Sequence, residues 1–455
     1  MQWTIPNSAG GWREAPLAEI EAEHYDRMMP MHNDNHNCAD PPFAERRASA
    51  FYSHGQRAND GGQRTLPIIR FFVAELLKRK NCDIILNMNP KNPFVIRGYA
   101  GAKYFCDRQK ETSKLLSALE NDCDVTLIAP RRFGKTGLIR HVFAQLPAEY
   151  TGIYLDVYSM RDLSSFTKFF AEAVLGVLDT KVESAMKMAA KFFKSCRPTV
   201  TPQTEGLPKF SFDVVASNAE ATLKEAFEYL ASKDRRVVIA IDEFQQVSKF
   251  PEIGTEALLR SYIQFVPHVR FIFAGSHKHM MEQMFAAPNR PFYQSTDFLS
   301  LHEIPCEAYR EFAGAFFKRA KLPFDAAVFD ALYERFEGIT WYLQVVLNRV
   351  WQMGEGLDRL ARIEKAIESI IDDRSDLYHD LLLSQNEGSR LMLLALARER
   401  AVKAPTAGTF IAHHGMKAAS SASFALNDLR ARDLIYETKC GWVIYDRLFG
   451  EWLRR

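Results

Sequence analysis

No run of the 455-residue chain approaches the ~18 uninterrupted apolar residues that a membrane-spanning helix needs. The longest candidate, Leu66 to Leu77, is broken by Pro67, Arg70 and Glu75. The first residues lack a basic-then-apolar leader. Cysteine is sparse: seven residues, scattered over positions 38, 82, 106, 123, 196, 306 and 440, form no Cys-x-x-Cys. That pattern argues against a disulfide framework or a zinc ribbon and suits a reducing compartment, so a cytoplasmic protein without a membrane partner is expected. Charge of one sign is also lacking, with 58 Lys and Arg against 56 Asp and Glu, a net +2. Charge alone therefore imposes no nucleic acid or anionic surface as partner. What is present, 47% hydrophobic and 25% charged residues, is the balance of an ordinary globular protein. The length accommodates about three domains at ~150 residues each.

Met1 to Arg64 is rich in Asn, Asp, His, Arg, Gly and Ala and shows no sustained period of 2 or 3.6. Such a segment buries little, and residues 1–87 are expected to be a disordered or non-native extension. Phe71 to Lys80 has the pattern of two or three helical turns before Asn87 to Pro90 interrupt. His24, His32, His36 and Cys38 cluster, but without the ligand spacing or second Cys pair of a zinc site, and a polar segment is the preferred reading. Organised sequence starts shortly after Met88, which makes that residue a candidate translation start.

Val125 to Ala129 is a short β-branched and apolar run, followed by Phe133, Gly134, Lys135 and Thr136 and then by apolar residues at helical spacing from Gly137 to Leu146. Strand, tight loop, Lys-Thr and helix are what a phosphate-binding loop requires. Helix-start N–H groups face the phosphates, Gly134 lets the backbone approach, Lys135 reaches the β- and γ-oxygens, and the Thr136 hydroxyl is a Mg²⁺ ligand. Ala129 stands where the first Gly of the full motif belongs.

A second motif carries more weight. Val237 to Ile241 reads as a strand buried on both faces, and Asp242 and Glu243 follow at its carboxyl end, where ligands bind in open α/β sheets. Asp242 is placed on the magnesium ion through water, and Glu243 as the base that orients and deprotonates the attacking water. A third strand, Val269 to Ala274, ends in Gly275 and Ser276, so Ser276 either senses the γ-phosphate or caps the next helix. Gly152 to Val157 and Phe298 to Leu301 complete about five strands alternating with helices at Leu163 to Leu178 and Asn218 to Ser232. This is the pattern of a parallel sheet with right-handed crossovers. Cys196 to Val214 reads as an inserted loop or small hairpin.

These residues together resemble the archaeal-type ATPases, P-loop proteins of the broader AAA+ and STAND group that also occur in bacteria. The likeness is carried by Phe105, Asp107, Arg108 and Glu111, by Ala129 to Thr136, by Ile241 to Gln245 and by Phe273 to Ser276, and extends from about Asn89 to Arg455. It implies a P-loop NTPase core with a parallel sheet, a helical lid and a C-terminal winged helix. It implies ATP and Mg²⁺ as cofactors, with Phe105, Asp107 and Arg108 on the adenine side. Pro130, Arg131, Arg132, Phe133, Gly134, Lys135, Thr136 and Gly137 would then line the phosphates. AAA+ relatives carry a lid arginine on the γ-phosphate, but the matching segment, Gly338 to Gln344, has none. Arg290 is a candidate substitute, Arg131 and Arg132 lie within the loop itself, and a second copy of the chain is another source. Without such a residue turnover is expected to be slow.

Domain bounds are expected at 88–304 for the core, with residues 197–214 inserted, at 305–372 for the lid and at 373–455 for a linker helix and winged helix. Glu307 to Lys321, Phe324 to Phe336 and Thr340 to Met353 each carry apolar residues at helical spacing. Helices at Arg390 to Arg398, Thr409 to His413 and Ser420 to Arg432, with a hairpin of Leu434 to Glu437 and Trp442 to Tyr445, describe a winged helix. Basic residues outnumber acidic ones 11 to 7 over 387–455, too mild an excess to decide between DNA and a protein partner. The expected function is Mg²⁺-dependent ATP hydrolysis that switches lid and winged helix. The alternative is a nucleotide-gated DNA-binding or protein-interaction regulator with little hydrolysis.

Overall fold

The computed structural model describes Thr4–Pro6, Trp12–Glu14 and residues 91–179, 182–201 and 209–455. The helix expected at 71–80, the His24 to Cys38 cluster and the candidate start at Met88 lie outside the described residues. Two compact units divide the chain at Lys80 and Asn81. Within the first, β1 (Thr4–Pro6) pairs antiparallel with β2 (Trp12–Glu14). Three residue pairs are too few to leave a periodic signal.

The second unit is built on a five-stranded parallel sheet. Its strands are β3 (Val125–Ile128), β4 (Tyr150–Asp156), β7 (Arg236–Asp242), β8 (Val269–Gly275) and β9 (Asp297–Ser300), in the order β4-β7-β8-β3-β9. Between β4 and β7 the inserted segment is the small hairpin of β5 (Arg197–Thr201) and β6 (Lys209–Asp213). A helix that the apolar spacing did not reveal, Val182–Phe192, precedes it.

Alternation along the strands fixes the two faces. On β7, Val237, Ile239 and Ile241 join one hydrophobic cluster, while Val238 and Ala240 join the other. The first cluster packs the helices Leu163–Leu178 and Ala219–Ala231, and the second packs Gln109–Glu120 and Lys135–Gln145. Each fully buried aliphatic side chain stabilises this sandwich by ~1.5–3 kcal/mol. One helix start is fixed by chemistry: the Asp162 carboxylate accepts from Ser165 N at 2.7 Å, and the Ser165 hydroxyl returns a contact to Asp162 N at 3.3 Å.

After β9 come helices Cys306–Arg319, Ala326–Arg335, Thr340–Gln352 and Leu360–Asp372, then Ser375–Leu383. The winged helix consists of Glu387–Glu399, Gly408–His413, Ala419–Ala431, the hairpin of β10 (Ile435–Thr438) and β11 (Gly441–Ile444), and the closing helix Arg447–Trp452. These two groups of helices share a single hydrophobic cluster that includes Leu343, Ile367, Tyr378, Leu393 and Phe449. Phe94, expected in the core by its position in sequence, is buried in this same cluster against Phe316, Phe317 and Trp351. Among the described residues, no helix is long and apolar enough to cross a membrane.

Candidate nucleotide-binding site

The loop between β3 and the helix Lys135–Gln145 turns at two left-handed residues, Arg132 (φ 72°) and Gly134 (φ 86°). Ala129 is not one of them; it is buried, and its N–H donates to the Gly275 carbonyl at 3.1 Å. An alanine therefore serves where the fuller motif has glycine. No side chain caps the helix that starts at Lys135, so its first N–H groups stay available to an anion.

Strands β3, β7 and β8 end side by side, and their carboxyl ends bring the expected chemistry together. Lys135 Nζ lies 2.7 Å from Asp242 Oδ1 and 2.9 Å from Glu243 Oε1. The Thr136 hydroxyl donates to Asp242 Oδ2 at 3.0 Å. Glu243 stands in the left-handed region (φ 57°), which turns its side chain back toward the loop. The Ser276 hydroxyl donates to Glu243 Oε2 at 2.6 Å. Burial pushes the Glu243 carboxyl up, but the Lys135 charge and hydrogen bonds from Ser276, Lys135 and Gln245 outweigh it and hold the group below the ordinary glutamate range.

Two site residues escaped the sequence reading. Tyr154 of β4 donates its hydroxyl to Asp242 Oδ2 at 2.7 Å, and Gln245 Nε2 donates to Glu243 Oε2 at 2.5 Å. Burial, with Asp242 beside it, pushes the Tyr154 phenol up, so it remains a donor. Asp156, at the end of the same strand, has its carboxyl raised by burial and by the neighbouring charges of Asp242 and Glu243. Carboxylates thus crowd one ammonium group, a donor set that suits a hard divalent cation beside phosphate.

Arg108 is buried and left-handed (φ 68°), and it braces the loop from behind. Its guanidinium donates to Glu111 at 2.9 Å and to the carbonyls of His302 at 2.5 Å and Phe133 at 3.4 Å. Phe105 stacks on His141 with ring centroids 4.1 Å apart and lies over Gly137. Asp107 is left-handed (φ 54°), Pro130 is exposed and Phe133 is half-buried. Arg290 is engaged by Glu256 on the helix Thr255–Ile263, and no described contact joins it to Lys135, Asp242 or Glu243. Arg131 and Arg132 both meet the winged helix, at Asp433 (3.3 Å) and Asp446 (3.0 Å) respectively.

Comparisons with known proteins bear on the family and the fold. A family model of ATPase domains predominantly from Archaea matches residues 105–346, and a winged helix domain model matches residues 376–455. The Walker-type ATPase of Pyrococcus abyssi has the same fold at 19% identity and a TM-score of 0.53, over 80% of this chain and 100% of that one. The Aeropyrum pernix ORC1 protein, solved in complex with DNA, is similar at 16% identity and a TM-score of 0.48, over 80% of this chain and 96% of its own. No curated protein matches the sequence.

Proposed function

Because the chain belongs to the family of ATPase domains found predominantly in Archaea, we propose that it binds ATP with Mg²⁺ at the Lys135, Asp242 and Glu243 cluster, hydrolyses it slowly, and uses the change to shift lid and winged helix. One observation carries this reading: Lys135 Nζ sits within 2.9 Å of both acids at an uncapped helix start, with Thr136 on Asp242. Phosphate oxygens arriving at that helix start would draw Lys135 from the carboxylates. Thr136 and Asp242 would hold the divalent cation, which neutralises charge on the β- and γ-oxygens.

Release of Lys135 leaves Glu243 Oε1 free to accept a proton, while Ser276 and Gln245 keep Oε2 in place. Water oxygen then bonds to the γ-phosphorus as its proton passes to Glu243. The bridging P–O bond breaks, and its electron pair leaves with ADP. Glu243→Gln should cut steady-state phosphate release by ~100-fold or more and leave ATP affinity within a few-fold of wild type. Retained turnover in the variant would remove Glu243 as base.

The second reading is a nucleotide-gated regulator acting through the winged helix on DNA or on a protein. The winged helix itself and the lack of an arginine in Gly338 to Gln344 favour it. Tight ATP binding with no turnover in the wild type would select it. A steep loss of DNA affinity with salt would then choose DNA over protein.

A further inference from the structure

The two neighbouring arginines of the phosphate loop are held in opposite ways. Arg132 is pinned. Its guanidinium pairs with Asp446 at 3.0 Å and donates to the Tyr342 hydroxyl, and it lies 4.5 Å from the Trp341 ring centroid. Its carbonyl accepts from Trp341 N at 3.1 Å. Asp446 is committed in turn, capping the closing helix through Leu448 N at 3.0 Å. Moving Arg132 would disturb the loop, a lid helix and the winged helix together.

Arg131 has one ion pair, to Asp433, at 3.3 Å, with 25% and 36% of the two side chains exposed. Among the described residues its other contacts are ring faces, Tyr158 at 5.3 Å and Tyr445 at 5.7 Å. The pair is longer than that of Arg132 with Asp446, and no second hydrogen-bond partner like Tyr342 reinforces it among the described residues, so it is the weaker hold of the two. Asp433 occupies a left-handed turn (φ 56°) between the helix Ala419–Ala431 and β10. It also faces His277 at 3.9 Å, the residue after Ser276, whose hydroxyl holds Glu243. The Arg131 and Glu243 charges act on each other. A cation of the phosphate loop is therefore restrained by an acid of the winged helix that also faces the residue after Ser276. Arg290, by contrast, is engaged by Glu256 on a different helix.

We propose that Arg131 is the arginine that stabilises the transferring phosphoryl group in cis, and that Asp433 of the winged helix holds it back. The proposal rests on the reading that Glu243 activates water for attack on ATP. Arg131 exchanges Asp433 for the γ-phosphoryl oxygens and donates N–H hydrogen bonds to them as the water–phosphorus bond forms and the β–γ bridge breaks. The water proton goes to Glu243, and Arg131 neither gains nor loses one. The winged helix thereby sets the rate through the strength of a single ion pair.

The test compares wild type, Arg131→Ala, Arg131→Lys and Asp433→Asn in steady-state ATP hydrolysis and ATP binding at several protein concentrations. Asparagine tolerates the left-handed turn, so Asp433→Asn removes the charge and keeps the backbone. Arg131→Ala should lose roughly 10²–10³-fold in kcat with ATP affinity within a few-fold, and Arg131→Lys should not restore it, because an ammonium lacks the planar fork. Asp433→Asn should turn over several-fold faster than wild type. Wild-type kcat in Arg131→Ala, slower turnover in Asp433→Asn, or a rate per molecule that climbs with protein concentration would each overturn the assignment.

Binding of ADP with aluminium fluoride, set beside ADP alone, gives an answer even if wild type does not turn over. Arg131→Ala should weaken the transition-state mimic by ~100-fold and spare ADP. Equal affinity losses for both, or for neither, would sink the proposal. Absence of turnover together with a selective loss for the mimic would instead fault the Glu243 reading.

Discussion

Glu243 meets two opposing effects. Burial favours its neutral form, while Lys135 at 2.9 Å and the Ser276 and Gln245 donors favour the carboxylate, and the second group wins. The sign follows. A carboxyl held below its ordinary value of ~4.3 stays charged as pH falls through that value. Its contribution to stability is fully present above the unfolded value and is lost only as pH falls through the lower folded one. The acid limb of kcat/KM, which reports the free enzyme, should therefore lie below the ordinary glutamate range. Ser276→Ala removes one of the donors and should move that limb to higher pH, with Lys135 still holding part of the shift. An unmoved limb in the pH profile would deny Ser276 its role on Glu243. Lys135, Thr136, Asp242, Glu243 and Ser276 stand out as candidates in the sequence because each follows directly on the end of a strand or loop that its own pattern marks. Tyr154 does not, since it reaches across neighbouring strands to Asp242, 88 residues away in the chain. Gln245 returns to Glu243 only because the backbone turns left-handed and then enters a 3-10 helix, Phe244–Lys249.

Elements were legible where periodicity is strong. The five parallel strands, the helix Leu163–Leu178 and the winged-helix hairpin stand within a few residues of their expected bounds. Val182–Phe192 was missed because a short Met-, Ala- and Lys-bearing stretch beside an irregular insertion carries little signal. Sequence pattern also cannot say how closely a helix approaches a strand. Gly152 of β4 decides that for the helix Lys135–Gln145: a Cβ there would stand 2.6 Å from Phe143 Cδ2 and 2.8 Å from Cγ. Glycine inside a strand ordinarily costs ~0.5–1 kcal/mol relative to alanine, so the substitution would stabilise an uncrowded site. Here the clash falls near the root of a ring buried in the core, and overpacking of that kind costs ~1–3 kcal/mol. Gly152→Ala should therefore lower the free energy of unfolding in denaturant by about 1–2 kcal/mol net. A more stable variant would mean that the helix stands farther from β4 than the structure has it.

For the whole molecule, packing joins the helices expected as a lid to those of the winged helix. One hydrophobic cluster runs from Tyr309 and Leu343 through Ile367 and Tyr378 to Leu393 and Phe449, with Phe94 set into it from the start of the core. Asn348 fastens that segment by donating to the Phe94 carbonyl at 2.6 Å, and Asn92 donates in return to the Asn348 carbonyl at 2.9 Å. Two sets of helices that share one core cannot part without exposing it, so ATP should shift them as one body. Periodicity showed that each set has an apolar face, but not that the faces meet. The loop reaches this body through Arg132, whose partners Trp341, Tyr342 and Asp446 come from both parts of it. Hydrogen exchange on the full chain tests the arrangement. Between ADP and ATP, in the Glu243→Gln background, the helices Thr340–Gln352 and Arg447–Trp452 should change protection together. Arg132→Ala should abolish that response in both while leaving their basal protection in place, since the shared core is untouched. A response in the lid helix alone, or one that survives the loss of Arg132, would show that the nucleotide reaches the winged helix by another route.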